Sequence, residues 1–362
     1  MIAKSKIDSI VREYGKDVTI ATACSHTALQ IFHGAKLEGL KTLGLTTAKK
    51  EKVYNAFPLA RPDKYIRIEK MSDMLLPEVQ QQLVDEHCIV VPHGSFVEYI
   101  GPKNIEDRFE VPMLGNRAVL DWESDRDKER DWLKAAGCKV PERISDPSEI
   151  NKPCLVKFHG AKGGHGFFIA LNEEEFYKKL GDRTDKYMIQ EFILGTRYYY
   201  HFFYSPISKR GYPAGTGSVE LMSIDCRNEA NIDELHRFGF TREELRKVGL
   251  DQTFVVTGNI PLVLRESLLD KVLEDAKNVV DQSIKMFSPG MVGPFCLETI
   301  MTDHLESYVF EISGRIVAGT NLYPMGSPYS PYTFNQPMST GRRIAVEVKD
   351  ALAKGQLSKV VY

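Results

Sequence analysis

The chain has 362 residues, of which 43% are hydrophobic and 27% charged, and its formal net charge is −2. That length is too great for one ordinary core and implies two or three domains of a soluble globular protein. A net charge this small excludes a global field that would attract nucleic acid or an acidic membrane surface, so any anionic ligand must be gripped locally.

The N-terminus carries Ile7, Ile10, Val11 and Tyr14 at helical spacing and lacks the apolar core of a signal peptide. No apolar run approaches the roughly 18 residues a transmembrane helix needs. Six cysteines (24, 88, 138, 154, 226 and 296) are scattered without a CxxC pair, which predicts reduced thiols in a cytoplasmic protein.

The spacing predicts a strand over 18–23, a helix over 27–39 and a strand over 41–47, a βαβ unit that demands a parallel sheet. A further buried strand at 87–92 runs into "HGSFVEYIG", so the first third reads as a doubly wound α/β domain. From Leu114 a highly charged helix is expected to end at Gly137. Two strand-like runs then flank "HGAKGGHG", followed by a helical patch at 172–180 and the strand "KYMIQEFILG". The aromatic run "RYYYHFFY" is expected to cover a sheet, and 226–250 to be polar and helical or looped. "TFVVTGNIP" reads as a strand, and "LRESLLDKVLEDAKNVVDQSIKMF" as a long amphipathic helix. The remainder reads as strands and turns, with prolines dense from 324 to 337 and no internal repeat.

Three pieces carry chemistry. The stretch "LVKFHGAKGGHGFFIA" lacks the GxxxxGK-Ser/Thr pattern of a P-loop and lies between two strands. It reads either as a hairpin flap whose bare amides close over phosphates or as a glycine-rich turn that binds nothing. Lys157, interior to the strand before it, favours the flap, because a buried ammonium needs an anionic partner. In "GPFCLETIMTDHLESYVFEISGR" two apolar strands flank a polar turn and each contains one interior carboxylate. If the turn is centred between His304 and Leu305, Glu298 faces Glu311. Their repulsion, about 3 kcal/mol at 5 Å and an effective dielectric near 20, calls for a proton, a cation or a metal. Surface glutamates in another register are the alternative. In "MIQEFILG", Glu191 would suit a ribose, although alone it reads as an ordinary surface glutamate.

A strand lysine, a glycine-rich flap, a Gln-Glu hinge strand and late paired glutamates resemble the ATP-grasp fold. Over nearly the whole chain, "ATACSHTALQIFHGAKLEGLKT", "VVPHGSFVEYIG", "LVKFHGAKGGHGFFIA", "TGNIPLVLRESLL" and "EISGRIVAGTN" resemble the archaeal formate-dependent FAICAR synthetases. The resemblance implies an α/β protein with an N-terminal doubly wound domain (1–118), a small ATP-grasp lobe bearing the flap (119–195) and a large lobe with the metal-binding carboxylates (196–362). It implies an ATP-dependent carbon–nitrogen ligase that formylates AICAR with formate in purine biosynthesis. Glu298 and Glu311 would hold Mg²⁺ or Mn²⁺. Lys157 and flap glycines Gly163, Gly164 and Gly166 would hold ATP phosphates, Gln190 and Glu191 would line the adenosine pocket, and Glu229 would be a weaker ATP-side residue. His26, Ser95 and Asn259 would contact AICAR, and Arg315 would stabilise the transferring phosphoryl group. Many ATP-grasp enzymes carry Asn two residues after the second glutamate, and here the position is Ser313. His26 and Ser95 each follow a strand, on the carboxyl edge where open α/β sheets bind ligands.

The implied partners are small molecules, AICAR, formate and ATP, with neither nucleic acid nor membrane, in a homo-oligomer. A paralogous ATP-grasp ligase with another substrate pair and a non-catalytic nucleotide-binding regulator are the alternatives. A Cys24/His26 nucleophile has no visible third partner.

Overall fold

The computed structural model describes residues 1–158, 166–249 and 253–362. Strands β1 (Thr19–Ala23), β2 (Lys41–Thr46), β3 (Lys64–Arg67) and β4 (Cys88–Val90) form a parallel sheet in the order β3-β2-β1-β4. The chain direction across this sheet reverses between β1 and β4, so the loops after both strands meet at one crevice. The helices expected at the N-terminus and after β1 are present as Lys4–Glu13 and Ala28–Leu37.

Strands β5 (Arg143–Ile144), β6 (Cys154–Phe158), β7 (Phe167–Ala170) and β8 (Tyr187–Glu191) form an antiparallel sheet in the order β5-β8-β6-β7. Lys157 pairs with Phe167, so the glycine-rich stretch does join two hairpin strands. The third sheet is built from β9 (Thr196–Ser205), β10 (Tyr212–Ala214), β11 (Gly217–Glu229), β12 (Val256–Pro261), β13 (Gly293–Met301) and β14 (Ser307–Ser313). Its order is β10-β11-β9-β13-β14, with β12 on the same flank of β11 as β10. As expected, the aromatic run forms a central strand, β9, whose Phe202, Phe203 and Tyr204 are buried in the largest core.

Three expectations need correction. The charged segment is two helices, Arg117–Ser124 and Arg126–Ala135, because the Asp125 side chain accepts from the amides of Asp127 (2.9 Å) and Lys128 (3.0 Å) and starts a new helix. β11 extends to Glu229, further than the polar composition after 226 suggests, because β12 pairs with its end. The segment after 337 contains a 14-residue helix, Thr340–Ala353. Its apolar period is hidden because two charged residues, Arg343 and Glu347, lie on its buried face.

That last helix joins the ends of the chain. It packs on Ala28–Leu37 at a glycine crossing, where a Cβ on Gly34 would lie 2.2 Å from the Arg342 amide and one on Gly341 2.2 Å from the Gln30 carbonyl. Ile31 and Ala35 of the earlier helix and Ile344, Ala345, Val348 and Ala351 of the later one share one core with the third sheet. Inside that core the Arg343 guanidinium is 1% exposed, forks onto Glu220 (2.5 and 3.3 Å) and reaches Glu347 (2.9 Å). Its face rests 4.2 Å from the Phe203 ring centroid.

Breaking such a network from the cation side leaves two buried carboxylates with no counter-charge. Arg343→Met should therefore cost about 3–5 kcal/mol in urea unfolding, and a cost below about 1 kcal/mol would show that the network is not what holds this helix in place.

Candidate active site

The site begins with a register. Across the third sheet Asp225 pairs with Tyr199, Tyr199 with Glu298, and Glu298 with Glu311, so four polar residues form one row on one face. The expected juxtaposition of Glu298 and Glu311 holds, but the turn differs. Between Thr299 and Met301 the partners shift by one residue, and the extra residue, Phe310, forms a bulge. Without the bulge Glu298 would face Phe310, and the period-two alternation would put Glu311 on the opposite face. The bulged Phe310 ring instead lies beneath Lys157 (5.9 Å) and Arg197 (5.4 Å).

Like charge across the row is partly answered by Arg227, whose Nη2 donates to Glu298 Oε1 at 2.7 Å and whose guanidinium stacks 3.9 Å over Tyr199. Burial and the neighbouring Glu311 nevertheless push the Glu298 carboxyl up to about 7. Burial works against charge on Arg227 as well, but Glu298, Tyr199, Cys296 and Glu311 together outweigh it and hold the guanidinium protonated.

β14 is an edge strand, and its outward amides need acceptors. The Val309 amide donates to the Lys139 carbonyl (2.8 Å), that of Ile312 to Glu129 Oε1 (2.6 Å), and that of Gly314 to Glu123 Oε2. Both glutamates come from the two charged helices, which Trp122 and Trp132 anchor against Phe287, each with ring centroids 5.0 Å apart. Glu123 also lies 3.3 Å from Arg315 Nε. Burial raises both carboxyls, and Glu311 raises Glu129 further, while the hydrogen bonds they accept from the strand amides brace the strand.

Lys157 and Gln190 line one cavity with Glu311, Arg126 and Arg130. Among the described residues no carboxylate pairs with Lys157. Burial, then the charge of Arg126, depresses its ammonium, a strain that an anionic ligand relieves. Glu191, adjacent on β8, points elsewhere: Lys152 holds its carboxylate at 3.1 Å, and the Glu142 amide donates to it at 3.2 Å. Glu229 sits at the irregular end of β11, half-buried, with its carboxyl raised by burial and Arg197 as the main offsetting charge. Gly163 and Gly164 lie outside the described residues. Gly166 is described, has φ +82°, and its carbonyl accepts from the Phe158 amide at 2.9 Å.

On the other side of Glu123 and Ser124 a second cavity is lined by His26, Gly94, Ser95 and Arg315. The two loops anticipated at the carboxyl edge do meet: the Ser25 and Ser95 hydroxyls are 3.1 Å apart. His26 has φ +46°, its carbonyl accepts from Asn321 Nδ2 at 3.3 Å, and its ring stacks on His93 at 6.1 Å. Desolvation and then the charge of Arg315 lower its imidazole, so it is neutral at pH 7. Cys24 is buried and its thiol is pushed up to about 12 by that burial, which removes it as a nucleophile. Asn259 lies on β12 opposite Arg227 and donates from Nδ2 to Asp225 Oδ2 at 2.7 Å.

Residue-by-residue reading of the sequence passed over His93, Arg227, Glu123 and Arg126. His93 had a signal, a polar residue in capping position between an apolar strand and a helix. It is fully buried, its Nε2 is 2.9 Å from the Ala23 carbonyl, and Nδ1 accepts from the Phe96 amide at 3.3 Å. Burial lowers its imidazole to about 3, so it is a neutral strut between the two loops. Arg227, Glu123 and Arg126 had no signal, since each acts on residues at least 70 positions away or across a cavity wall.

Glu298 and Glu311 suit Mg²⁺ or Mn²⁺ as a facing pair of hard oxygen donors whose repulsion a divalent cation would relieve. Among the described residues no group of three or more metal-binding side chains occurs, so further ligands would come from phosphate oxygens and water. The strut role of His93 is testable: His93→Phe keeps a ring but removes both hydrogen bonds and should cost about 1–3 kcal/mol in urea unfolding. A neutral result would show that the loops meet without it.

The Domain of unknown function DUF1297 matches residues 174–362, and the Protein of unknown function DUF1246 matches 20–144. The chain is 52% identical, over all 362 residues and the whole of each partner, to 5-formaminoimidazole-4-carboxamide-1-(beta)-D-ribofuranosyl 5'-monophosphate synthetase 1 of Methanosarcina mazei. It superposes on an IMP biosynthesis protein PurP from Thermococcus kodakaraensis with a TM-score of 0.74 at 28% identity, covering 95% of this chain and 100% of that one. The N5-carboxyaminoimidazole synthetase from Staphylococcus aureus, complexed with ADP, shares the fold at 15% identity, with a TM-score of 0.60 over 91% of this chain and 77% of that one. The fold is ATP-grasp, preceded by the parallel α/β domain, and the chain belongs to the 5-formaminoimidazole-4-carboxamide-1-(beta)-D-ribofuranosyl 5'-monophosphate synthetase family.

Proposed function

We propose that the chain catalyses the ATP- and formate-dependent formylation of AICAR to FAICAR, releasing ADP and phosphate in IMP biosynthesis. The observation that carries this beyond family membership is the shared wall between two cavities. Lys157, Gln190 and Glu311 line one, His26, Ser95 and Arg315 line the other, and Glu123 with Ser124 belongs to both. A phosphoryl donor on one side and an amine acceptor on the other would be held within one reaction space.

A formate oxygen attacks the γ-phosphorus of ATP, the bond to the β–γ bridging oxygen breaks, and ADP leaves with formyl phosphate formed. The 5-amino nitrogen of AICAR then attacks the formyl carbon, the carbon–oxygen bond to phosphate breaks, and the nitrogen loses a proton. Activation is required because a carboxylate is a poor electrophile and this amine, conjugated to the imidazole ring, is a weak nucleophile. A divalent cation, held by Glu298 and Glu311, would supply charge neutralisation at the phosphates. Lys157 and Arg315 approach from opposite cavities and would share the charge of the transferring group. Gln190 would face the adenosine, and Glu191, held outward by Lys152, would reach a ribose only by giving up that pair. The flap glycines Gly163, Gly164 and Gly166 would place amides over the phosphates, with Glu229 nearby. His26, neutral and at a strand–helix turn, would join Ser95 around the ribose phosphate, and Asn259 would contact the base.

ADP release should require AICAR and formate together. Release that is indifferent to AICAR would point to the paralogous ligase, and ATP binding without ADP release to the regulator. Glu298→Gln or Glu311→Gln should lower kcat by roughly 10²–10³-fold with the fold intact by circular dichroism, whereas wild-type turnover would end the metal assignment. His26→Ala should raise the KM for AICAR by about tenfold and leave that for ATP alone. Equal rises for both substrates would move His26 out of the AICAR site.

A further inference from the structure

Asn259 is not free to choose which way its amide faces. Its partner Asp225 is 1% exposed and accepts at both oxygens, from Asn259 Nδ2 at 2.7 Å and from His201 Nε2 at 2.5 Å. A carboxylate is acceptor-only, so both neighbours must present N–H to it, and the assignment of nitrogen and oxygen in Asn259 follows from that chemistry. His201 is itself 2% exposed, so the Asp225 carboxylate has no water to turn to. The segment 318–322 closes over it: a Cβ on Gly319 would lie 2.1 Å from Asp225 Oδ1. The same segment reaches the substrate-side loop, where Asn321 donates to the His26 carbonyl. Asp225 thus stands at one end of the row that leads through Tyr199 to Glu298 and Glu311.

We infer that Asp225, backed by His201, is a positioning residue that fixes Asn259 with its carbonyl oxygen outward, so that this edge of the site accepts a hydrogen bond and selects a ligand with an N–H donor there. This rests on the proposed function, in which Asn259 contacts AICAR. AICAR carries such donors on its carboxamide and amino nitrogens, whereas an analogue with a carbonyl or ester oxygen at that point would meet an acceptor with an acceptor. Gly319 is part of the device, because any side chain there would displace Asp225.

The test reverses the polarity and then restores it. In Asp225→Asn, with His201 keeping its Nε2–H, the new amide gives its oxygen to His201 and turns its NH₂ toward Asn259, which flips and offers NH₂ to the ligand. The ring-nitrogen NMR shifts of His201 check that tautomer, because its buried Nδ1 has no hydrogen-bond partner among the described residues. The KM for AICAR should rise at least tenfold, with that for ATP within twofold and kcat changed less than KM. In the double variant Asp225→Asn/Asn259→Asp the donor and acceptor of the pair are exchanged, the outward atom is again an acceptor, and most of the AICAR KM should return. An unchanged AICAR KM in Asp225→Asn with the His201 tautomer retained, an unchanged AICAR KM in Asn259→Ala, or a double variant no better than the single one, would overturn the inference. Thermal melts of each variant identify loss of folding, and Asn259→Ala, which removes the acceptor outright, should reproduce the KM rise without touching Asp225. Wild-type ADP release that ignores AICAR would instead defeat the proposed function. In that case side-chain amide hydrogen exchange decides the orientation alone: Asn259 protons that exchange as fast in the wild type as in Asp225→Asn would overturn it.

Discussion

Two carboxylates, Glu298 and Glu311, are held facing each other on adjacent strands, and most of the surrounding architecture answers to that one unfavourable contact. At an effective dielectric near 20 and 5 Å the repulsion is about 3 kcal/mol, and burial of Glu298 adds to it. Arg227 offsets part from the neighbouring strand, and burial with Glu311 still leaves the Glu298 carboxyl at about 7. The bulge at Phe310 keeps the pair on one face when the turn alone would separate them. What remains uncompensated is an attraction for a cation, and in the proposed function this electrostatic penalty of the folded chain would become binding energy for a metal–phosphate ligand.

The helices before the small lobe serve the same strand. Glu129 and Glu123 take the outward amides of Ile312 and Gly314, so the edge carrying Glu311 is fixed from outside as firmly as from inside. Glu123 then stands between the two cavities and beside Arg315, which ties the rigidity of the edge strand to the side chain that lines the second cavity. On the substrate side His93 does comparable work, linking the end of β1 to the helix Gly94–Ile100 with one neutral ring. A charged residue in that buried place would need a partner, and burial keeps this one uncharged.

Local patterns were readable where burial follows a simple period. The βαβ start, the hairpin around the glycines, the aromatic strand β9 and the long helix Leu269–Met286 all follow apolar spacing. Helix Thr340–Ala353 escaped because its inner face carries Arg343 and Glu347, charges that become core residues only once Glu220 arrives from β11. The break at Asp125 escaped because a charged run continues through it, and only the capping geometry distinguishes a second helix.

For the site, the residue types and the motif order were legible in the covalent chain: Lys157 before a glycine-rich turn, paired glutamates late in the chain, His26 and Ser95 after strands. Those depend on covalent order and on periods of two and 3.6, which are local properties. Only the packed sheets bring Arg227 to offset part of the Glu298 charge, turn Glu191 to Lys152 rather than into the cavity, and set Asp225 against Asn259. Each of these is a contact between side chains 34 to 71 positions apart. Electrostatic and hydrogen-bond partners of that kind are chosen by where the sheets bring them, and no spacing in the chain encodes it.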